Sequence, residues 1–136
     1  MKKDIHIPEV TDVGIAVVRE KDAQTNQYVW NVYLLNLKQE NILVNTFVSS
    51  RGYGMINNEY KKTVKVNYFL KDVAPQSAKL IEPIAEEVFA LANEYFLTFY
   101  IDGVIHDKKF VFVAESIKEE HLTTIKLLGK KGVLIK

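Results

Sequence analysis

Apolar residues recur at every second position along most of this chain, and that period belongs to extended strands with one face turned inward. Residues 62–70 show it most plainly. Val64, Val66, Tyr68 and Leu70 fall on one face, while Thr63, Lys65 and Asn67 fall on the other, where water is expected. Residues 13–19 are apolar and β-branched and read as a first strand. Residues 28–37 and 42–49 read as a strand and its return, joined by a polar hairpin loop at 38–41. A short strand at 77–82 is expected to end at Pro83. Residues 94–101 and 104–114 form the next pair around Asp102-Gly103, a type I′ hairpin signal because that turn needs positive φ. The last pair, 125–128 and 133–135, is expected to turn at 129–132.

Helical signals are local. Residues 84–92 contain good helix formers, and Pro83 suits a first helical position. Ser116 and Glu119 have capping-box spacing, which places another helical turn at Ile117. Short turns and the lack of a βαβ rhythm predict a mainly β chain. The fold expected is an Ig-like antiparallel β-sandwich of about seven strands with one or two short helical turns. A closed barrel is the alternative. Trp30 is the expected core anchor, and Asn93-Glu94-Tyr95 before an apolar strand looks like a tyrosine corner.

A chain of 136 residues has room for a single domain, 1–136, and a core that needs no staple. The absence of Cys excludes disulfides, thiolate metal sites and a Cys nucleophile. Lys2 and Lys3 are not followed by an apolar signal segment, and no apolar run reaches membrane-spanning length. The location expected by default is cytoplasmic, with no membrane association. A net charge of +1 offers no general field for nucleic acid. Locally, residues 82–94 carry Glu82, Glu86, Glu87 and Glu94 without a base, and residues 121–136 carry Lys126, Lys130, Lys131 and Lys136 without an acid. These read as two solvated faces or as complementary patches.

No catalytic constellation stands out. His6, His106 and His121 lack the spacing of metal ligands, so neither a metal nor any other cofactor is expected. His106-Asp107 reads as an exposed polar pair, and nothing ties Ser50 to it as a triad. Residues 49–54 are the most distinctive short stretch. They are expected to carry a strand into a glycine loop where Arg51, Gly52, Tyr53 and Gly54 could contact a ligand. It is not a P-loop, since no Gly-Lys-Ser/Thr follows. Lysine pairs at 2–3, 61–62, 108–109 and 130–131, with Tyr53, Tyr60 and Tyr68, could face RNA, or could guard strand edges against aggregation.

Residues 95–101 are apolar on both faces, with Phe96 and Tyr100 on the second, and 110–113 repeat the pattern through Val111 and Val113. A one-sided sheet should not look like this. Either the apolar tail, 122–135, or a second copy of the chain should cover that face.

Residues 10–20, 49–54 and 92–117 together resemble a family of small uncharacterised bacterial proteins, some labelled as phenylalanyl-tRNA synthetase subunits. The resemblance spans most of the chain and implies a domain that lends no catalytic residues. A class II synthetase site is built around arginines, and this chain has only Arg19 and Arg51. The function expected is a non-enzymatic protein-interaction or self-associating module, a homodimer or one bound to a protein partner. The alternative is an RNA- or tRNA-binding accessory domain using residues 49–54 and the lysine pairs.

Overall fold

The computed structural model describes residues 8–136, so the readings at Lys2, Lys3 and His6 lie outside the described residues. Two five-stranded sheets pack face to face, as the alternation predicts. Sheet A has the order β6-β2-β1-β10-β9, formed by Ser77–Ile84, Tyr28–Asn36, Val13–Lys21, Lys130–Ile135 and Thr123–Ile125. In sheet B, β4 (Glu59–Lys62), β3 (Leu43–Ile56), β7 (Ala92–Ile101) and β8 (Val104–Phe112) lie in that order. The fifth strand, β5 (Val66–Val73), pairs with the first half of β3, on the same edge where β4 pairs with its second half. Every pairing is antiparallel. The chain crosses between sheets at β2–β3, β5–β6, β6–β7 and β8–β9. The described residues thus form ten strands rather than about seven.

The inner faces form one core. Val13, Ile15, Val17, Val32 and Leu34 of sheet A meet Leu43, Val48, Tyr95, Leu97, Phe99, Phe110 and Phe112 of sheet B. Trp30 is the expected anchor: its ring meets Phe89 edge-on at 5.2 Å, and its Nε1 donates to Glu86 at 2.9 Å. Those contacts pin a 3-10 turn, Glu86–Ala90, across one end of the sandwich, where the sequence placed a helical turn. Pro83 does not start that turn. It lies inside β6, an edge strand, where a missing N–H is tolerated.

Other local readings are corrected. The segment at 38–41 is a crossover between sheets and not a hairpin, because β2 and β3 belong to different sheets. Residues 63–65 connect β4 to β5, and Val64 is 83% exposed instead of buried. Residues 49–54 form no loop: β3 runs for 14 residues through them, and turns only at Asn57 and Asn58, both at positive φ. Asp102 and Gly103 also both have positive φ, as the expected type I′ turn requires. The capping box is not made, since the 3-10 turn Glu119–His121 has Lys118 at its N-cap, without a side-chain bond. The last turn falls at 126–129, and Lys130, Lys131 and Gly132 are strand residues.

The tail, 122–135, does not cover the second apolar face of sheet B. Strand β10 pairs with β1, so residues 123–135 build sheet A. Leu127 and Leu128 pack instead on the outer face of sheet A, against the small cluster of Ala16, Val18, Leu35 and Ile125. Among the described residues no helix is long and apolar enough to cross a membrane.

Candidate functional site

Strand β6 slips register between its pairing with Val32 and its pairing with Tyr33, leaving Ile81 as the extra residue of a bulge. Bulges re-aim side chains. Here Ile81 is buried in the core, and the next residue, Glu82, also points toward sheet B. Three hydroxyls from three strands of sheet B donate to its carboxylate. Ser50 Oγ and Tyr68 Oη reach Oε1 at 2.9 and 2.6 Å, and Tyr95 Oη reaches Oε2 at 2.9 Å. Burial first, then the bond to the Glu82 carboxylate, pushes the Tyr68 phenol up to about 12. Burial, followed by the charge and hydrogen bond of Glu82, pushes the more deeply set Tyr95 higher still. Both phenols therefore stay protonated donors at neutral pH. Tyr95 spends its hydroxyl on this carboxylate across the core, which is not the backbone bond of a tyrosine corner.

This network lies beside a cavity of about 200 Å³. Val64, Val66, Ile84 and Val88 supply apolar wall, and Ser50, Arg51, Glu82, Asn93 and Tyr95 supply polar groups, although the Arg51 guanidinium is spent on Glu94. Asn93 is buried and uses its amide hydrogens on the carbonyls of Val88 and Leu91, at 2.9 and 3.1 Å. Gly52 also lines the cavity. A Cβ there would sit 3.2 Å from Asn93 Oδ1 and 3.3 Å from Thr63 Cγ2, so a side chain would crowd this wall.

The outward face of sheet B is a second feature. Register aligns Phe69, Phe47, Thr98 and Asp107 in one row, and Asn67, Ser49, Phe96 and Lys109 in the next. Phe47 and Phe69 stack at 4.6 Å, and they are 48% and 51% exposed. Phe96 is 41% exposed. Tyr100 opposes Ile105 further along the face, and Val111 opposes Glu94. Val113 lies just past the end of β8 and is exposed. Three of the four expected interface residues, Phe96, Tyr100 and Val111, thus share one sheet face. Phe47 and Phe69 join them there, and only strand register could have revealed that.

Arg51 projects from the same face. Its guanidinium donates to Glu94 at 2.7 Å, and that bond holds its pKa above the usual value. It also lies 5.3 Å from the centre of the Tyr53 ring. Lys109 approaches Glu94 from the other side, at 3.8 Å. Arg51, Gly52, Tyr53, Tyr60, Lys62 and Lys65 line a cleft of about 280 Å³ at the β3–β4 hairpin. Gly54 is in the strand but outside the lining of that cleft and of the Glu82 cavity.

His106 stacks on Phe99 at 5.0 Å with Nδ1 near the Val104 carbonyl, while Asp107 accepts from Thr98, so the two form no dyad. No cluster of potential metal ligands exists among the described residues. Compared with protein-family models and with curated proteins, the chain finds no match.

Proposed function

We propose that this chain is a non-enzymatic, self-associating β-sandwich module whose sheet B outer face packs against the same face of a second copy. The observation that carries the reading is the cluster of exposed Phe47, Phe69 and Phe96 in two adjacent rows across β5, β3 and β7, where a solvated face should be polar. The charges beside it, Arg51, Glu94 and Lys109, largely satisfy one another, so little uncompensated charge opposes burial. A two-fold interface would be isologous, each Phe96 meeting the same patch. A cysteine-free chain suits the cytoplasm, where this association would take place.

Light scattering on a sizing column across a dilution series tests this. The expected mass is twice the 15.6 kDa chain at high concentration. Phe96→Asp and Phe47→Asp should each raise the dissociation constant at least about tenfold while leaving the far-ultraviolet circular dichroism unchanged. A monomer at every concentration would remove the reading.

The cleft of Arg51, Tyr53, Tyr60, Lys62 and Lys65 favours a second reading, a groove for single-stranded RNA. Tyr60 is exposed and available for stacking. That reading requires binding that weakens steeply with salt and is lost in Tyr60→Ala.

A further inference from the structure

The Glu82 carboxylate is set into the sandwich without a counter-ion: among the described residues, no Lys or Arg nitrogen lies within 4.0 Å of it. Its partners are three neutral hydroxyls. A carboxylate offers about four lone-pair sites. Oε1 receives two donors and Oε2 one, so acceptor capacity remains on Oε2. An apolar residue of similar volume would join the sheets at no electrostatic cost. The chain instead places a charge there through a β-bulge, next to a cavity.

We propose that this cavity binds a primary alkylammonium, with Glu82 as its counter-ion. The remaining acceptor capacity selects the shape of the cation. A guanidinium fork prefers two carboxylate oxygens side by side, but Oε1 is already occupied by Ser50 and Tyr68. A compact ammonium needs only one strong acceptor and can share further hydrogens with weaker ones. Asn93 suits the weaker role, since its amide hydrogens are committed elsewhere and its Oδ1 lies beside Gly52 on the cavity wall. Val64, Val66, Ile84 and Val88 would line an aliphatic stem. A volume of about 200 Å³ suits a short chain and not a large ligand. Gly52 leaves room for Asn93 and Thr63 in this wall, which gives it a role other than turn geometry. Lysine residues of a peptide and free alkylamines share this chemistry.

The test is a titration of the whole chain with n-butylammonium chloride, followed by amide chemical shifts, with n-butanol as the uncharged control. Saturable shifts at residues 50–52, 64–66 and 82–84, absent with n-butanol, are expected. Glu82→Gln should weaken binding at least about tenfold, and Gly52→Val, which leaves the carboxylate in place, should do the same by crowding Asn93 and Thr63 in the wall. Thermal unfolding checks each variant; if Glu82→Gln does not fold, Gly52→Val decides. Comparison with Nα-acetyl-lysine methylamide separates the sources: tighter binding of the lysine derivative names a peptide, and tighter binding of the simple amine names a free ligand. No saturable binding by the wild type, or equal binding by wild type and Gly52→Val, would overturn the proposal. The monomer or dimer state does not enter this readout, so it stands or falls apart from self-association.

Discussion

Glu20 shows how a single residue can be decided by partners far away in the chain. Its side chain is only 8% exposed, yet it accepts from Asn31 at 2.8 Å, from Tyr33 at 2.6 Å, and from the Lys130 ammonium. Burial alone would raise its pKa; the bonds from Lys130, Tyr33 and Asn31 outweigh it and hold the carboxyl below its usual 4.5. Burial first, and then the contact with Glu20, push the Tyr33 phenol up to about 12. A carboxyl whose folded pKa is depressed adds stability at pH values above its unfolded pKa, and loses it as pH falls through the folded one. Glu20→Gln should therefore cost about 1–3 kcal/mol at pH 7. The gap between the two proteins should close as urea unfolding is repeated at pH values progressively below 4.5. A gap that does not change with pH would mean the carboxylate is not charged in these bonds. Nothing in the sequence marks Glu20 or Glu82 as special. Lys130 is 110 residues from Glu20, and the donors to Glu82 are 13 to 32 residues away. Such sites depend on register, which periodicity does not report.

Elements were legible where alternation and turn chemistry agree. Strands β1, β2, β7 and β8, and the Asp102-Gly103 turn, follow directly from pattern, because a positive-φ pair closes the hairpin tightly. The stretch at 49–54 was misread because two glycines look like a loop, whereas Gly52 here makes room for Asn93 and Thr63 inside a strand. Glycine has a third role in β10. A Cβ on Gly132 would lie 2.7 Å from the Val17 carbonyl oxygen, and backbone cannot move aside cheaply. Gly132→Ala is expected to cost about 1–3 kcal/mol through overpacking. Gly103 meets nothing within 4 Å, and its φ of 74° is the only obstacle to a side chain. Gly103→Ala should thus cost about 1–2 kcal/mol by conformational strain alone. Urea midpoints of both variants measure the totals. A compensating Val18→Ala, which removes the Cγ2 at 3.1 Å, should recover little of the Gly132→Ala loss, since the carbonyl remains.

At the scale of the whole molecule, sequence reading left the C-terminal segment between two roles, a cover for sheet B or a bystander to a second copy. Its pattern, short apolar runs around two glycines and three lysines, does not say which sheet it joins. The structure makes β10 an interior strand of sheet A, between β1 and β9. Five registered pairs, from Ile15 with Ile135 to Arg19 with Lys131, tie the end of the chain to its first strand. Val133 and Ile135 pack on the main core, and Leu134 packs on the outer cluster. A dispensable cover could be removed with its face merely exposed. Removing residues 130–136 instead takes away that pairing, leaves β9 without a neighbour and strips Lys130 from Glu20. Closing such a distant pairing is costly in chain entropy, so the fold should form it cooperatively with the rest of sheet A. The shortened chain is therefore expected to lose its single calorimetric transition, while a chain cut within the exposed Asp102-Gly103 turn but otherwise intact should keep one at lower temperature. A sharp transition retained without residues 130–136 would mean that β1 and β2 with β6 suffice for sheet A, and that the tail is an accessory after all.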